Sequence, residues 1–467
     1  MATDQTIVTV LLSSVAGTGV GFCTGLVPGL HVNNLAAIAV ASSASVVGMS
    51  CCIGSLFGCG EAALLVACFL VAAMMAHMFS ESIVATYLGI PSGDNVSLLP
   101  AHRLAKEGMG QSAVRTSADG SLAGAVLGLL FMLPVCALLG PPIDAYSPLR
   151  SAMGIAVLLL SVLLVASDGI GRRAAVGRIL RGAAFFLISG TIGFVVLDTN
   201  YFAASVPDFP WMRAEFVPKS SLLLPLFAGL FGIPTLLHSI APGHHAEAPL
   251  ACFMEIRTEP QNVSPDIRLK EVLTSCVGGV LVGWIPGVTS GSSATLCASA
   301  IKGSAPEGGE PEEAARFIWL YSAISSCGAV LSVGALFAIA RARSGIMQAV
   351  VFFMGDSALE VRDLGAIDSV CALLMSMLAA ALLSHMAIHR ISGTLLLRLQ
   401  NLLCSRKAAV LSFVFVSSLV LALTGTRGGL LLLACAALGL LPPMCGSRRI
   451  NLMGCLLLPI CIAFLLD

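Results

Sequence analysis

The fold is decided by the stretch Gly17-Thr-Gly-Val-Gly-Phe-Cys-Thr-Gly-Leu-Val-Pro-Gly-Leu-His-Val-Asn-Asn34, where an apolar run is broken by residues that end a helix. Its central pattern, Gly21-x3-Gly25-x2-Pro28-Gly29, returns later in the chain as Gly279-x3-Gly283-x2-Pro286-Gly287. Proline lacks a backbone donor and glycine tolerates unusual dihedrals, so each Pro-Gly pair is expected to end one helix and begin another. The recurrence predicts two related halves that each place a broken helix at a shared site.

The composition is that of a membrane protein. The chain of 467 residues is 57% hydrophobic and 11% charged, with a mean hydropathy of +0.95, whereas ordinary globular proteins are about 25% charged. Apolar stretches of about 18 residues or more, each long enough to cross a bilayer, recur along the chain. We therefore expect an all-α polytopic protein of the cell membrane, surrounded by lipid, with about 12 transmembrane helices. A net charge of zero gives no indication of a nucleic-acid partner.

The basic residues predict which loops are cytoplasmic. Residues 1–102 contain no Lys or Arg, and the N-terminus Met1–Asp4 lacks the basic residues of a cleavable signal peptide, so the first span is expected to remain in the mature protein. The first cytoplasmic loop is marked by Arg103, Lys106 and Arg115, and the second by Arg172, Arg173, Arg178 and Arg181. A polar cytoplasmic linker over 241–270 then separates a first membrane repeat, 1–240, from a second, 271–467.

Two segments are predicted to enter the membrane and turn back as re-entrant helical hairpins. The first is Glu81–Pro100, which is only moderately apolar and carries Pro91-Ser-Gly-Asp-Asn95 in its middle. The second is Arg341–Val350. By the count of basic residues, the segment after the first hairpin is internal and the segment after the second is external. Two related halves of opposite orientation form an inverted repeat, which is the architecture of many secondary transporters.

Polar residues follow each Pro-Gly pair, and they predict an anion site. Hydroxyl and amide donors at the start of a new half-helix, together with its free N–H groups and the positive end of its dipole, favour an anionic ligand. The candidate substrate-binding residues are Pro28, Gly29, His31, Asn33, Asn34, Ser92, Gly93, Pro286, Gly287, Thr289, Ser290 and Ser292. The alternative for the upstream glycines is close helix packing, and we favour packing for Gly17, Gly19, Gly21 and Gly25.

Ionisable residues at membrane depth are costly and are therefore candidates for function. Asp94 and Asn95, at the tip of the first hairpin, predict cation coupling by a proton or a sodium ion, with an interfacial turn as the alternative. Glu61, Glu81 and His77 lie near the ends of predicted spans, and an interfacial position is the alternative to a functional role for these three. The pairs His244-His245 and His385/His389 have spacings that metal sites use, but we interpret them as solvated or snorkelling histidines and predict no metal site.

No sequence signature of catalysis or of nucleotide binding is present. The chain has no nucleophile elbow, zinc signature, P-loop or dinucleotide fingerprint. These absences disfavour an enzyme or an ATP-driven pump, and no cofactor is expected. The sequence therefore predicts a secondary transporter that is not an enzyme.

The chain resembles a known family, the large membrane subunit (TctA) of tripartite tricarboxylate transporters, in its archaeal-type branch. The stretches that carry the resemblance are Gly21–Asn33, Leu88–Gly110, Pro225–Pro234, Gly279–Gly287 and Arg341–Gly345. The resemblance implies a cation-coupled uptake permease for small carboxylates that works with an extracytoplasmic binding protein and a small membrane subunit. The tip Pro91–Asn95 departs from the Thr-Pro-Gly-Thr-Pro pattern usual in bacterial members, so citrate is not implied as the substrate.

A second resemblance covers one loop only. Pro286-Gly-Val-Thr-Ser-Gly-Ser292 is similar to a loop of polyprenyl-phosphate translocases. This alternative function would make the ligand a lipid phosphate. Both alternatives share an anion site at membrane depth, and they differ in whether the cargo is soluble.

Overall fold

The molecule is helical throughout its described part. A computed structural model describes residues 2–27, 35–36, 39–40, 48, 62–88, 99–166, 175–198, 222–240, 263, 265–285, 288–301, 310–355, 364–391 and 406–466, and every regular element in these ranges is a helix. Seven of these helices are long and apolar enough to cross a membrane. The prediction of an all-α membrane protein is therefore confirmed, while the total of about 12 spans and the two re-entrant hairpins stay predictions.

The first half of the chain contributes helices separated by short turns or by residues outside the described ranges. They are α1 (Ala2–Gly25), α2 (Ala62–Leu88), α3 (Leu99–Lys106), α4 (Gly110–Leu139), α5 (Tyr146–Ala166), α6 (Ala175–Asp198), α7 (Leu223–Phe227) and α8 (Ile233–Ile240), the last two joined by a π-helical turn, Ala228–Gly232.

The second half contributes a similar series. It consists of α9 (Leu269–Trp284), α10 (Ser290–Ala300), α11 (Pro311–Ile339), α12 (Gly345–Met354), α13 (Leu364–Arg390), α14 (Arg406–Met444) and α15 (Gly454–Leu466), which a 3-10 turn, Arg449–Met453, precedes. Within α14, Gly425 has φ 64° and ψ −164°, a backbone conformation that glycine adopts readily. This break divides α14 into two consecutive helical segments.

The start of the first predicted hairpin is corrected by α2. Residues 81–88 continue α2 to Leu88, whereas the sequence interpretation began the hairpin at Glu81. The physical reason is that Glu81–Leu88 contains neither glycine nor proline, so nothing in it interrupts a helix before the Gly89-Ile-Pro91 sequence. The predicted tip, Pro91–Asn95, lies outside the described residues.

Close approach of α1 to α2 explains three of the four glycines that precede Pro28 in the opening stretch. Gly17, Gly21 and Gly25 face the backbone of α2 at Phe69, Ala73 and His77 in turn, so the two helices run parallel. A Cβ atom at any of the three would overlap α2, whereas a Cβ at Gly19 would meet nothing within 4 Å. Packing of small residues at a membrane helix interface is thus their role, and Gly19 does not share it.

This contact predicts a stability difference between two otherwise equal substitutions. Gly21→Ala is expected to lower the midpoint of thermal unfolding in detergent, because overpacking a tight contact costs about 1–3 kcal/mol. Gly19→Ala on the same helix is the matched control and is expected to unfold at the wild-type temperature. Fluorescence-detected thermal unfolding of both proteins measures the difference, and equal midpoints for Gly21→Ala and wild type would contradict the contact.

The second half repeats this arrangement. Gly279 of α9 faces Cys327 of α11, and Gly283 faces Gly328 and Leu331, so α9 and α11 also run parallel. α4 lies along another side of α11 in the same direction, since Gly120, Gly124 and Gly128 meet Trp319, Ala323 and Cys327 in order. α11 is therefore enclosed by helices from both halves.

Each half packs its helices onto the other. α13 of the second half packs along α2 of the first, and α4 of the first packs along α11 of the second. α15 packs on α5 and α6, while α14 packs on α7, the π-helical turn and α8. Glycines again allow close approach: Gly193 meets the backbone of Cys455, and Gly439 meets that of Leu230. The division at 241–270 remains a prediction, but within the described ranges most of the packing joins the two predicted repeats.

Candidate functional site

The second Pro-Gly pair separates two helices that fold back on each other. Ser293 Oγ of α10 donates to the Gly278 carbonyl of α9 at 3.0 Å, and Cys297 Sγ lies 3.7 Å from the Thr274 carbonyl. Positions later in α10 thus meet positions earlier in α9, so the two helices form an antiparallel hairpin. α9 and α10 have 16 and 11 residues, or about 24 and 17 Å of helix, and Pro286-Gly287, outside the described residues, lies between them.

Hydroxyl groups at the start of α10 are already engaged in hydrogen bonds. Thr289 is the N-cap, its Oγ1 accepting from the Ser292 N–H at 3.2 Å, while its own N–H donates to Ser292 Oγ at 3.0 Å. Ser290 Oγ donates to Ser325 Oγ of α11 at 3.2 Å. The Thr289–Ser292 bonds close the first turn of α10, and the Ser290 bond joins that turn to α11. Their role as substrate ligands stays a prediction, and Ser290 is the one of the three whose hydroxyl reaches a neighbouring helix.

An aromatic and cationic cluster lies next to the hairpin. Trp284, the last residue of α9, packs edge-on against Tyr146 with ring centroids 6.4 Å apart. Arg343, in the turn between α11 and α12, donates from Nη2 to Tyr146 Oη at 2.7 Å, and its guanidinium carbon is 5.6 Å from the Tyr146 ring centroid. The cluster therefore joins the hairpin to the turn that the sequence assigns to the second re-entrant segment.

Two donors in this cluster have no acceptor among the described residues. Arg343 Nε and the indole Nε1 of Trp284 are buried and have no hydrogen-bond partner within the described part of the chain, where no carboxylate pairs with Arg343 either. An arginine in a protein keeps its charge, so Arg343 is a cation at this position. A half-buried cation beside an unpaired indole N–H is suited to an acceptor-rich, anionic ligand.

Sequence reasoning did not assign Arg343 to the site. The sequence does contain a signal for Arg343. Arg341 and Arg343 lie on the predicted outer side of the membrane, where short loops usually contain few basic residues. An arginine that departs from this tendency is a candidate for a specific role.

Comparison with known proteins supplies the family. The model of the tripartite tricarboxylate transporter TctA family matches residues 11–454. The chain belongs to this family. An uncharacterized protein of Methanocaldococcus jannaschii is 24% identical over 465 residues, which cover 97% of this chain and 99% of that one. No solved structure matches.

Membership of the family shows which general class of protein this TctA-family protein belongs to. The family is one of transporters, and its tripartite character implies association with other subunits and a binding protein. Together with the seven long apolar helices, it identifies a multi-pass membrane protein. The sequence resemblance to the family is thereby confirmed.

In this TctA-family protein the end of α1 meets a buried histidine of α2. Thr24 Oγ1 is 3.1 Å from His77 Nδ1, and His77 Nε2 is 3.9 Å from Glu81 Oε2 one turn further along α2. His77 is fully buried, and the Glu81 side chain is 13% exposed. His77 lies within the candidate span Ala62–Tyr87 and packs under α1, so it belongs to the buried contact of the two helices, while its depth in the bilayer stays a prediction.

The remaining predicted site residues of this TctA-family protein fall outside the described ranges. They are Pro28, Gly29, His31, Asn33 and Asn34 of the first loop, Ser92, Gly93, Asp94 and Asn95 of the hairpin tip, and Pro286 and Gly287. The expected meeting of the two Pro-Gly pairs thus stays a prediction. Leu26 shortly precedes the first pair and Ile285 directly precedes the second, and both residues pack against the same core cluster.

Proposed function

We propose that this chain is a secondary transporter of the cell membrane that takes up a small anionic substrate, a carboxylate, and is driven by a cation gradient. The observation that carries the proposal is the half-buried guanidinium of Arg343, which has no counterion in the described ranges and lies beside the α9–α10 hairpin. An uncompensated cation next to a helical hairpin is expensive inside a membrane protein and marks a pathway for an anion.

The substrate is expected between the hairpin and Arg343. A guanidinium presents a planar set of donors that matches the two oxygens of a carboxylate. The N-terminal turn of α10, with Ser290, adds hydroxyl and N–H donors and the positive end of a helix dipole. His31, Asn33 and Asn34 of the first loop are proposed to complete the site, which requires that the two Pro-Gly pairs lie close together.

We infer that the two halves form an inverted repeat. In support, Tyr87 at the end of α2 packs against Gly110 at the start of α4, so two helices long enough to cross the membrane run in opposite directions. Since α1 is parallel to α2, and α9 and α11 are parallel to α4, the equivalent helices of the two halves are antiparallel. α10 and α12 span only about 15–17 Å each, which suits re-entrant segments. Such a repeat supports alternating access by rocking one half against the other.

Cation coupling is assigned to acidic groups near the first loop. Asp94 and Asn95 remain candidates from the sequence. The described residues add Glu81, which sits one turn beyond His77 on α2 and connects through it to Thr24 at the end of α1. A carboxylate and an imidazole in contact at membrane depth form the kind of relay that transporters use for protons.

A ligand screen on the purified protein tests the proposed function. Di- and tricarboxylates, including citrate, and a short-chain polyprenyl phosphate are added separately while thermal unfolding is followed. At a ligand concentration of 100 times Kd, binding stabilises by about 2.7 kcal/mol, so a carboxylate is expected to raise the midpoint by a few degrees. The Ser290→Ala protein should lose this rise, whereas Thr295→Ala, on the same helix but bonded to the Gly291 carbonyl, should keep it.

Two results would contradict the proposal. Stabilisation by the polyprenyl phosphate alone would assign the protein to lipid-phosphate translocation. Stabilisation by no anion at all would remove the anion site.

A further inference from the structure

A three-residue polar cluster joins the two halves away from the substrate site. His385 Nε2 and His389 Nε2 of α13 lie 2.9 and 2.8 Å from the same oxygen, Oδ1 of Asp119 on α4. The two imidazole rings are 4.4 Å apart between centroids. The sequence interpretation of both histidines as solvated or snorkelling side chains did not include this shared partner, which comes from a helix far away in the chain.

The position of the cluster is unusual for charged and polar groups. Asp119 lies within the candidate span Gly110–Leu139, and both histidines lie within the span Ile367–Arg390. Asp119 is nonetheless 49% exposed at the side chain, and His385 and His389 are 24% and 35% exposed. A carboxylate in a span that is neither buried in the protein core nor paired with a lysine or arginine in the described ranges is costly, so it calls for a further partner.

We propose that Asp119, His385 and His389 bind a divalent transition metal of the Zn²⁺ class. Zinc is commonly bound by three protein ligands, and its fourth position is then open to water or to a group of a partner. Bonds of about 2.0–2.1 Å in a tetrahedron separate neighbouring ligand atoms by about 3.3 Å. The two N–O distances are within about half an ångström of that value, and all three ligand atoms lie within 4.8 Å of one another.

The local sequence supports the same chemistry. His385 and His389 are one helical turn apart, which places both imidazoles on one face of α13, as zinc-binding helices do. Two imidazoles and one carboxylate suit Zn²⁺, Co²⁺, Ni²⁺ or Cu²⁺ better than Mg²⁺ or Ca²⁺, which prefer oxygen ligands. The cluster also lies near Arg390, the basic last residue of α13, and the positive-inside tendency predicts that this end of the helix is cytoplasmic.

A bound metal would connect the two halves directly. Asp119 belongs to the first half and both histidines to the second, so the ion bridges helices that a rocking motion would separate. Occupancy from the cytoplasm would then hold α4 and α13 together. This inference does not depend on the identity of the substrate.

Metal binding to the purified full-length protein in detergent tests the inference. The protein is stripped with a chelator and titrated with Zn²⁺ by calorimetry, then with Co²⁺, whose visible spectrum reports a tetrahedral site. We expect the same result for each of three variants, Asp119→Asn, His385→Gln and His389→Gln. Each should bind one Zn²⁺ equivalent fewer, or bind it with an affinity lowered by at least roughly 100-fold, which is the upper end of what loss of an outer-shell partner costs. Asp368→Asn, an exposed carboxylate near the opposite end of α13, is the matched control and should bind as the wild type does.

The outcomes separate a metal site from a simple hydrogen-bonded cluster. Equal stoichiometry and affinity in the three variants and the wild type would overturn the proposal, as would absence of Zn²⁺ binding by the wild type. Should a Gln variant elute as aggregate in size-exclusion chromatography, His385→Cys decides instead, because a thiolate is also a zinc ligand. It is expected to keep the equivalent and to add a thiolate charge-transfer band with Co²⁺, and its failure to do so in a monodisperse protein would overturn the site.

Discussion

Uptake by the Arg343→Gln protein is expected to fall by about 30-fold or more, with most of the loss in the apparent affinity for the substrate. Truncating one member of a buried charge pair costs about 2–5 kcal/mol, and each 1.4 kcal/mol is about tenfold in an equilibrium constant. The reason is that Arg343 is the half-buried cation beside the hairpin without a counterion in the described ranges. Initial rates of substrate uptake into proteoliposomes over a range of concentrations give KM and the maximal rate.

Neighbouring residues provide the controls for this measurement. Arg341→Gln removes an equal charge from an exposed position two residues away and should leave KM unchanged. Tyr146→Phe removes the hydrogen bond to Arg343 but keeps the cation and the ring, so a small change is expected. If Arg343→Gln folds and transports with the wild-type KM, Arg343 is not a substrate ligand.

The Glu81→Gln protein is expected to lose the stimulation of uptake by an imposed cation gradient. A glutamine cannot take up or release a proton or neutralise a cation, so the carboxylate next to His77 would no longer exchange its charge. Exchange of internal for external substrate without a gradient should continue, because it does not require net movement of the coupling ion. The measurement compares proteoliposomes with and without a pH or sodium gradient.

Two further variants locate the coupling group. Asp94→Asn tests the assignment made from the sequence. If Asp94→Asn or Glu81→Gln keeps full gradient dependence, the carboxylate that it replaces is not the coupling group. Glu107→Gln, an exposed carboxylate 3.8 Å from Arg103, is the control and should respond to the gradient as the wild type does. A normal gradient response in Glu81→Gln would contradict a coupling role for the His77–Glu81 pair.

The sequence predicted those features that depend on local chemistry. The Gly-x3-Gly-x2-Pro-Gly pattern correctly indicated that α9 ends just before Pro286, and the apolar runs indicated the long helices. Hydrophobicity and helix-breaking residues act over a few neighbours, so one sequence is sufficient to recognise them.

Features that depend on long-range contact were not predictable in this way. Asp119 and His385 are 266 residues apart in the chain, and nothing in either neighbourhood indicates the other. The positive-inside tendency singles out Arg343 as unusual, but its place in the candidate site depends on contacts with Tyr146 and Trp284, which are distant in the chain. The return of α10 along α9 likewise rests on the bond from Ser293 to Gly278, which a hydropathy pattern does not contain.

The exchange of helices between the two halves has a consequence for how the protein is made. α2 and α11 are the most enclosed of the long spans, with 78% and 83% of their apolar windows buried, and each is covered partly by a helix from the other half. While the ribosome is still translating the second half, α2 is already in the bilayer but α13 is not. The small-residue surfaces of α2 are then exposed to lipid. The packing of α2 is therefore completed only after α13 has been inserted.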